Sequence, residues 1–385
     1  MEISKINAYK VSLPFLGEFS HSRKKGYFSS NIVIEVVANG GEIRGYGEGA
    51  PRSYVTGESQ DSVIESIRCF LQKDSFPWKL NDISQIWDFV DSLPNGKKYN
   101  AAICALEMSL LDVLGKSQGV PIVEYFPKDF FVERVYYGAA IPLGNNQRIL
   151  EMCKLCNNLK INKLRIKLGK DFKQNCYATE MVRMMFGDDC DLRIDVNGAW
   201  DRELALKHIQ FIKEYKVKVV EQPMIPDNPD IADFASAMKS CGVTLMADEL
   251  ACSLADVERI IKDGHYKMIN VRLSKCGGFR NSLKIINYLR KKNLYFQIGC
   301  QLGESGLLSA AGRALSLLCG DAAYYDGSYD EYLLKENITL ENVSFGLGGE
   351  AGPLDGPGLG VRINKENLIR LSNGSPSATI PNPLS

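Results

Sequence analysis

From residue 130 onward, short apolar or β-branched runs alternate with longer amphipathic stretches. The runs fall at 135–141, 164–168, 192–196, 217–221, 244–247, 268–271, 295–298 and 322–325. Runs this short fit strands buried on both faces, and the intervening stretches are long enough for helices. Equivalent positions recur about every 27 residues, the length of one βα unit. Eight such strands predict an α/β fold, a (β/α)8 barrel or a slightly incomplete (β/α)7β form of it. A doubly wound sheet is the competing arrangement, but no Gly-x-Gly-x-x-Gly turn opens a βα unit.

Before residue 130 the texture is different. Segments 32–37 (IVIEVV) and 43–48 read as strands joined across Asn39-Gly40-Gly41, a hairpin signal. From 59 to 115 the period turns helical, and 101–115 (AAICALEMSLLDVLG) predicts a long apolar helix with Gly115 as its stop. Glu107 and Asp112 within it are expected to be salt-bridge or capping partners. The division expected is an α+β capping domain over 1–128 and a barrel over 129–344. The segment 345–385, entered through the Gly-rich 346–360, returns to complete the cap.

Each successive barrel strand ends in an ionisable group: RIK (165–167), DVN (195–197), EQP (221–223), ADE (247–249) and LSK (273–275). One such charge is readily a salt bridge or a helix cap. Five at one repeat spacing converge on the C-terminal mouth, where barrels of this kind carry their active sites. Asp195, Glu221 and Asp248 bring three carboxylates together, an arrangement that requires a cation among them. Oxygen donors without thiol or imidazole partners favour Mg2+, with Mn2+ as a substitute. Asn197 and Glu249 stand beside them as supporting partners. Lys167 and Lys275 are expected to flank a bound small-molecule carboxylate on opposite faces. A lysine acts as a base where nearby cations favour its neutral form, and Arg165 together with a metal supplies such cations for Lys167. Two bases around a carboxylate suit removal of its alpha proton, with the metal stabilising the enediolate. The competing readings are a Schiff-base lysine aldolase on the same barrel, for which three carboxylates have no use, and a non-catalytic barrel that binds small acids.

Composition and charge narrow the classes further. Lys plus Arg number 46 and Asp plus Glu number 46, so no field recruits nucleic acid. No run of about 18 apolar residues appears, so no membrane span is expected. The N-terminal MEISKINAYKVSLPF alternates like a strand and lacks an apolar leader, which predicts a cytoplasmic protein. The 11 cysteines are scattered, and Cys153-x-x-Cys156 sits in an amphipathic stretch that reads as packing. With 3 histidines, chemistry built on several imidazoles is not expected.

DVNGAW (195–200), EQP (221–223), Asp248-Glu249 and SKCGG (274–278), with GYGEGAPRSYVTGES (45–59) and ALEMSLLDVLGK (105–116) in the cap, resemble the enolase superfamily. The likeness is to its muconate lactonizing (muconate cycloisomerase) group, related to mandelate racemase and the dipeptide epimerases, and it covers nearly the whole chain. It implies Asp195, Glu221 and Asp248 as magnesium ligands, Lys167 as the second lysine of a Lys-x-Lys motif, and Lys275 as the sixth-strand lysine. Racemisation, epimerisation or cycloisomerisation is the implied outcome, with syn-elimination a lesser one. Glu304, Asp326, Tyr324, His21 and Tyr54 take positions of substrate contacts, as do Arg23 and Lys24 in the same cap loop as His21. Two departures stand out: Arg165 replaces the first lysine, and Tyr324-Tyr325-Asp326 keeps only the second acid of the epimerases' Asp-x-Asp. Homo-oligomerisation is an expectation from fold analogy alone.

Overall fold

The structure is a computed structural model. It describes residues 1–21 and 24–383, with side chains for all of these except 18–21, 24 and 25. An antiparallel sheet opens the chain, with β1 (Ile3–His21), β2 (Lys24–Ala38) and β3 (Ile43–Gly49) in sequential order. Helices α1 (Gln60–Leu71), α2 (Ile83–Asp91) and α3 (Asn100–Gln118) follow. Glycines on one face of β3 explain how closely α3 lies on it. A Cβ at Gly45 would stand 2.4 Å from Val113 N, and one at Gly47 would stand 2.1 Å from Ala105 O. The helix therefore packs backbone to backbone, and the alternating glycines of GYGEG are its contact surface. Helix α3 runs past Gly115 and ends at Gly119, which takes the left-handed cap at φ 71°. Gly115 continues the helix instead, because Gly358 packs directly against it.

After the short β4 (Val135–Tyr136), the barrel strands run in parallel. They are β5 (Ala139–Ile141), β6 (Lys163–Lys167), β7 (Asp191–Asp195), β8 (Val219–Glu221), β9 (Thr244–Ala247), β10 (Met268–Arg272), β11 (Tyr295–Gly299) and β12 (Tyr324–Tyr325). Between them lie α4 (Asn146–Asn158), α5 (Phe172–Phe186), α6 (Arg202–Glu214), α7 (Ile231–Ser240) and α8 (Leu254–Asp263). The single turn α9 (Leu273–Cys276) leads into α10 (Gly278–Lys291), and α11 (Gly306–Leu318) precedes the last strand. Gly138 N, just before β5, donates to Tyr325 O at 2.8 Å and joins the two ends of the sheet. The architecture is the (β/α)7β form of the barrel, with a strand-rich cap.

Outward strand residues such as Leu164, Ile166 and Ile194 are fully buried against the helices, as the apolar runs require. The inward face departs from an all-apolar barrel. Arg193 is completely buried there, and its Nη2 donates to Asp326 Oδ1 at 2.9 Å. A short α12 (Asp330–Leu333) follows β12. The chain then forms β13 (Glu350–Ala351), which pairs with β4, then α13 (Lys365–Leu371) and β14 (Ala378–Pro381). Strand β14 lies antiparallel along β1, with Asn7 opposite Thr379.

Cap and barrel are fastened by an acid of α3. Glu107 accepts from the backbone N–H groups of Phe279 and, at 2.8 Å, Arg280, satisfying orphan donors at the start of α10. Asp112 accepts from Tyr46 N and Leu359 N and pairs with Lys116. The two cysteines of Cys153-x-x-Cys156 are free and buried on the inner side of α4, a packing role.

His208 on α6 supports the loop after β7. Its ring stacks on Trp200 at 3.9 Å between centroids, and Trp200 Nε1 donates to Gly169 O. Nδ1 lies 2.7 Å from Leu204 O and Nε2 lies 3.0 Å from Asn175 Nδ2, the pattern of a neutral imidazole donating at Nδ1 and accepting at Nε2. Burial lowers its pKa from 6.5 to about 4. Between those values the unfolded chain binds a proton that the folded chain refuses. The stability contribution is therefore full above pH 6.5 and is lost as pH falls through about 4, a change of about 3 kcal/mol. Denaturant titrations at pH 7 and pH 4.5 are expected to show this acid loss in the native protein and a flatter dependence in His208→Gln. Parallel pH profiles would refute the assignment.

Candidate active site

Parallel pairing puts Lys167, Asp195 and Glu221 side by side at the ends of β6, β7 and β8. Asp248 follows the end of β9, and Arg272 ends β10 opposite Gly299. The three carboxylate residues are completely buried. Two backbone distortions hold this rim: Asn197 at φ 48° and Gln222 at φ 38°, conformations that side-chain-bearing residues rarely adopt. The Gln222 amide oxygen accepts from Asp248 N at 3.1 Å, fixing the β9 end against the β8 end.

The carboxylates are bridged by guanidinium groups. Arg165 Nη1 donates to Asp195 Oδ2 at 3.0 Å and to Glu221 Oε2 at 2.9 Å. Its Nε lies 3.0 Å from Asp326 Oδ2. Arg272 Nη2 donates to Asp248 Oδ2 and lies 3.5 Å from Glu221 Oε1, which also accepts from Asn270 Nδ2 at 2.7 Å. Burial and the Asp195 charge raise the Glu221 pKa. Burial acts in the same sense on Asp248, but Arg272 and Lys275 outweigh it and leave that group below the usual carboxylate range. Burial, with Asp248 and Asp195 adding, pushes Glu249 up to about 7.

Lys167 lines a cavity of about 130 Å3 at the mouth, together with Arg165, Arg272, Arg148, Met152 and Tyr329. Its Nζ donates to Asn197 Oδ1 at 3.1 Å and stands 3.7 Å from Asp195 Oδ2. Asn197 in turn donates to Glu249 Oε1 at 3.1 Å. A larger surface groove of about 940 Å3 lies in the cap around Trp78 and Pro381, but none of the strand-end charges reaches it. Chemistry rather than size locates the site.

Three of the expected site residues do not line this cavity. Lys275 does not face the cavity. It lies beyond the strand in α9, completely buried, and its Nζ donates to Asp248 Oδ1 at 3.0 Å and to the carbonyls of Asp248 and Asn270. Burial disfavours its charge, but Asp248 prevails and raises its pKa. The inward cation of β10 that shares the cavity with Lys167 is Arg272. The alternation of Asn270 and Arg272 in Met-Ile-Asn-Val-Arg was the available signal, since both fall on the inward face. Tyr324 turns away from the mouth: its hydroxyl donates to Asp191, at the start of β7. Asp326 is held by Arg193 and Arg165 within the barrel.

The remaining candidates fall into place differently. Glu304 is buried, accepts from Gln301 N and is pushed up to about 8 by burial. Tyr54 lies close enough to Arg272, Glu249 and Asp248 to feel their charges, and burial raises its hydroxyl. The side chains of His21 and Lys24, and all of Arg23, lie outside the described residues.

The donor set suits a hard divalent cation, because three buried carboxylates from adjacent strands offer only oxygen. Around them Glu249 Oε2, Asn270 Oδ1 and the Nε atoms of Arg165 and Arg272 are buried without a hydrogen bond, which marks an incompletely satisfied cluster. Among the described residues, no group of three acids, histidines or cysteines closes on one point while the guanidinium bridges stand. Asp195, Glu221 and Asp248 are the residues that would hold Mg2+.

A family model described as Enolase C-terminal domain-like matches residues 150–367, more than half of the chain. The chain is 26% identical over 353 residues to the hydrophobic dipeptide epimerase of Enterococcus faecalis, covering 90% of each. It is 26% identical over 383 residues to the N-succinyl-L-Arg/Lys racemase of Bacillus cereus, covering 97% of this chain and 98% of that one. A solved dipeptide epimerase of Cytophaga hutchinsonii, complexed with Mg and D-Ala-L-Val, superposes with a TM-score of 0.83 at 22% identity, covering 99% and 100% of the two chains.

Proposed function

The chain belongs to the enolase superfamily, matching its Enolase C-terminal domain-like family, and from that premise we propose a Mg2+-dependent enzyme that removes the proton alpha to a substrate carboxylate. The observation that carries the reading is the rim itself: three buried carboxylates on adjacent strand ends, with Lys167 beside them facing a cavity. Bound Mg2+ supplies Lewis-acid stabilisation of the charge that develops on the substrate carboxylate. Lys167 as the neutral amine takes the alpha proton on Nζ, which Asn197 orients by accepting from it. Arg165 braces Asp195 and Glu221 from below. The enediolate so formed is the point from which racemisation, epimerisation and cycloisomerisation diverge.

The names of the relatives favour epimerisation or racemisation, which returns a proton on the opposite face. Arg272 favours a second reading. Its guanidinium does not readily deprotonate, and Lys275 does not line the cavity, so of the described lining residues Lys167 is the one suited to move a proton. Cycloisomerisation of the muconate-lactonizing kind needs that one face only. Proton NMR in deuterium oxide, run over a library of small carboxylic acids, tests both readings. Exchange of the alpha proton that depends on Mg2+ is expected. Exchange with loss of configuration supports epimerisation, and exchange with retention supports the single-face reading. Equal turnover in EDTA would refute the metal-dependent reaction.

A further inference from the structure

Resting on that reading, we propose that Asp326 and Arg193 are positioning residues for the metal centre. Acting through Arg165, they set how much of its positive charge reaches Asp195 and Glu221. Strands β6 and β7 run in register, with Arg165 opposite Arg193 and Lys167 opposite Asp195. Alternation puts both pairs on the inward face, so two arginines lie side by side one layer beneath the rim. Both are buried, Arg193 completely. Two cations so placed repel in an interior that screens charge weakly, and the branched apolar residues that usually fill a barrel offer them no partner.

Asp326, just past the end of β12, stands between them. Its Oδ1 accepts from Arg193 Nη2 at 2.9 Å, and its Oδ2 lies 3.0 Å from Arg165 Nε and 3.4 Å from Arg193 Nη1. Burial acts to raise the Asp326 pKa, but Arg193 and Arg165 outweigh it and keep the group ionised. On its far side the Arg193 guanidinium lies 4.1 Å from the centre of the Tyr324 ring, and its Nη1 donates to Gln297. Charge therefore alternates from the barrel floor to the rim: Arg193, Asp326, Arg165, then Asp195 and Glu221. The planar guanidinium makes this possible, because Nε meets Asp326 while Nη1 meets the rim; the ammonium of a lysine is a single point.

A cation touching two metal donors opposes a divalent ion at those residues, and a carboxylate behind it offsets part of the opposition. Arg193 in turn neutralises part of that carboxylate. Removing Asp326 and removing Arg193 therefore act in opposite directions on the metal centre, although each change breaks the same ion pair.

The test measures Mn2+ affinity of the whole protein by electron paramagnetic resonance of the free ion, with thermal unfolding to confirm the fold of each variant. Asp326→Asn keeps the shape and removes the charge. It is expected to bind Mn2+ about ten-fold more weakly than the native protein, and Arg193→Met about ten-fold more tightly, the scale of coupling within one charge network. Adding Arg165→Met to Asp326→Asn should restore the affinity, since the cation that Asp326 balances is then gone. A merely structural role would lower the unfolding temperature and leave Mn2+ affinity unmoved. Unchanged affinity in the folded single variants, shifts of the same sign, or no recovery in the double variant overturns the proposal. Should Arg193→Met not fold, Asp326→Asn and the double variant decide the matter. Native protein that binds no Mn2+ sinks the metal-dependent reading as well; native binding with unaltered variants sinks only the positioning assignment.

Discussion

Lys167→Ala is expected to lose alpha-proton exchange by a factor on the order of 10² to 10⁴, the range for removal of a positioned general base. The loss should appear in turnover with little change in Mn2+ affinity, because Lys167 touches Asp195 only at 3.7 Å and is not a metal donor. Lys167→Arg is the informative companion, keeping the charge while removing a group able to cycle a proton. It should be as inactive as the alanine variant. Lys275→Ala separates the two lysines. It leaves Asp248 and two backbone carbonyls without their donor, so its main effect should be on stability. Exchange surviving in Lys167→Ala and vanishing in a folded Lys275→Ala would reverse the assignment of the base.

Arg272→Met should destabilise the metal-free protein by about 3 to 5 kcal/mol, the usual consequence of removing one partner of a buried ion pair. Asp248 loses its Arg272 partner and keeps Lys275, and Glu221 keeps Arg165 and Asn270. The same change removes a competitor for the oxygens that Mg2+ would use. Mg2+ should therefore stabilise Arg272→Met more than it stabilises the native protein, since ligand stabilisation grows with affinity for the folded state. Thermal unfolding with and without Mg2+, repeated with Mn2+, reads this difference. An equal metal-induced shift in both proteins would mean that the guanidinium does not compete for the site.

The carboxylates of this rim were legible because parallel strands end at nearly equal intervals, and each acid closes an apolar run. Asp195 and Glu221 lie in register, and the spacing placed them there without knowledge of any loop. The same regularity runs on to Lys275. It continues the 27-residue spacing, but β10 ends three residues earlier, at Arg272, and the chain turns into α9 before Lys275 is reached. Side-chain alternation within the strand was the better guide there. Tyr324 failed for a related reason: in a strand of two residues nothing in the sequence says which side chain faces the mouth, and its neighbour relations are set by Asp191 and Arg193. Arg148 carried no signal, since a cation in the first turn of an amphipathic helix reads as solvated. The cap showed the opposite balance. Its hairpin was readable from NGG, whereas the tight seating of α3 on the glycines of β3 is a contact between distant segments.

The pairing of β14 with β1 has a consequence for biogenesis. Thr379 Oγ1 donates to Asn7 Oδ1 across a separation of 372 positions. During synthesis, β1 emerges early and its outer edge waits for a partner until the whole barrel has been made. An uncovered strand edge is a template for intermolecular pairing, and so distant a closure is slow. Nascent chains arrested before β14 would expose that edge, making them the species on which a chaperone has most to do.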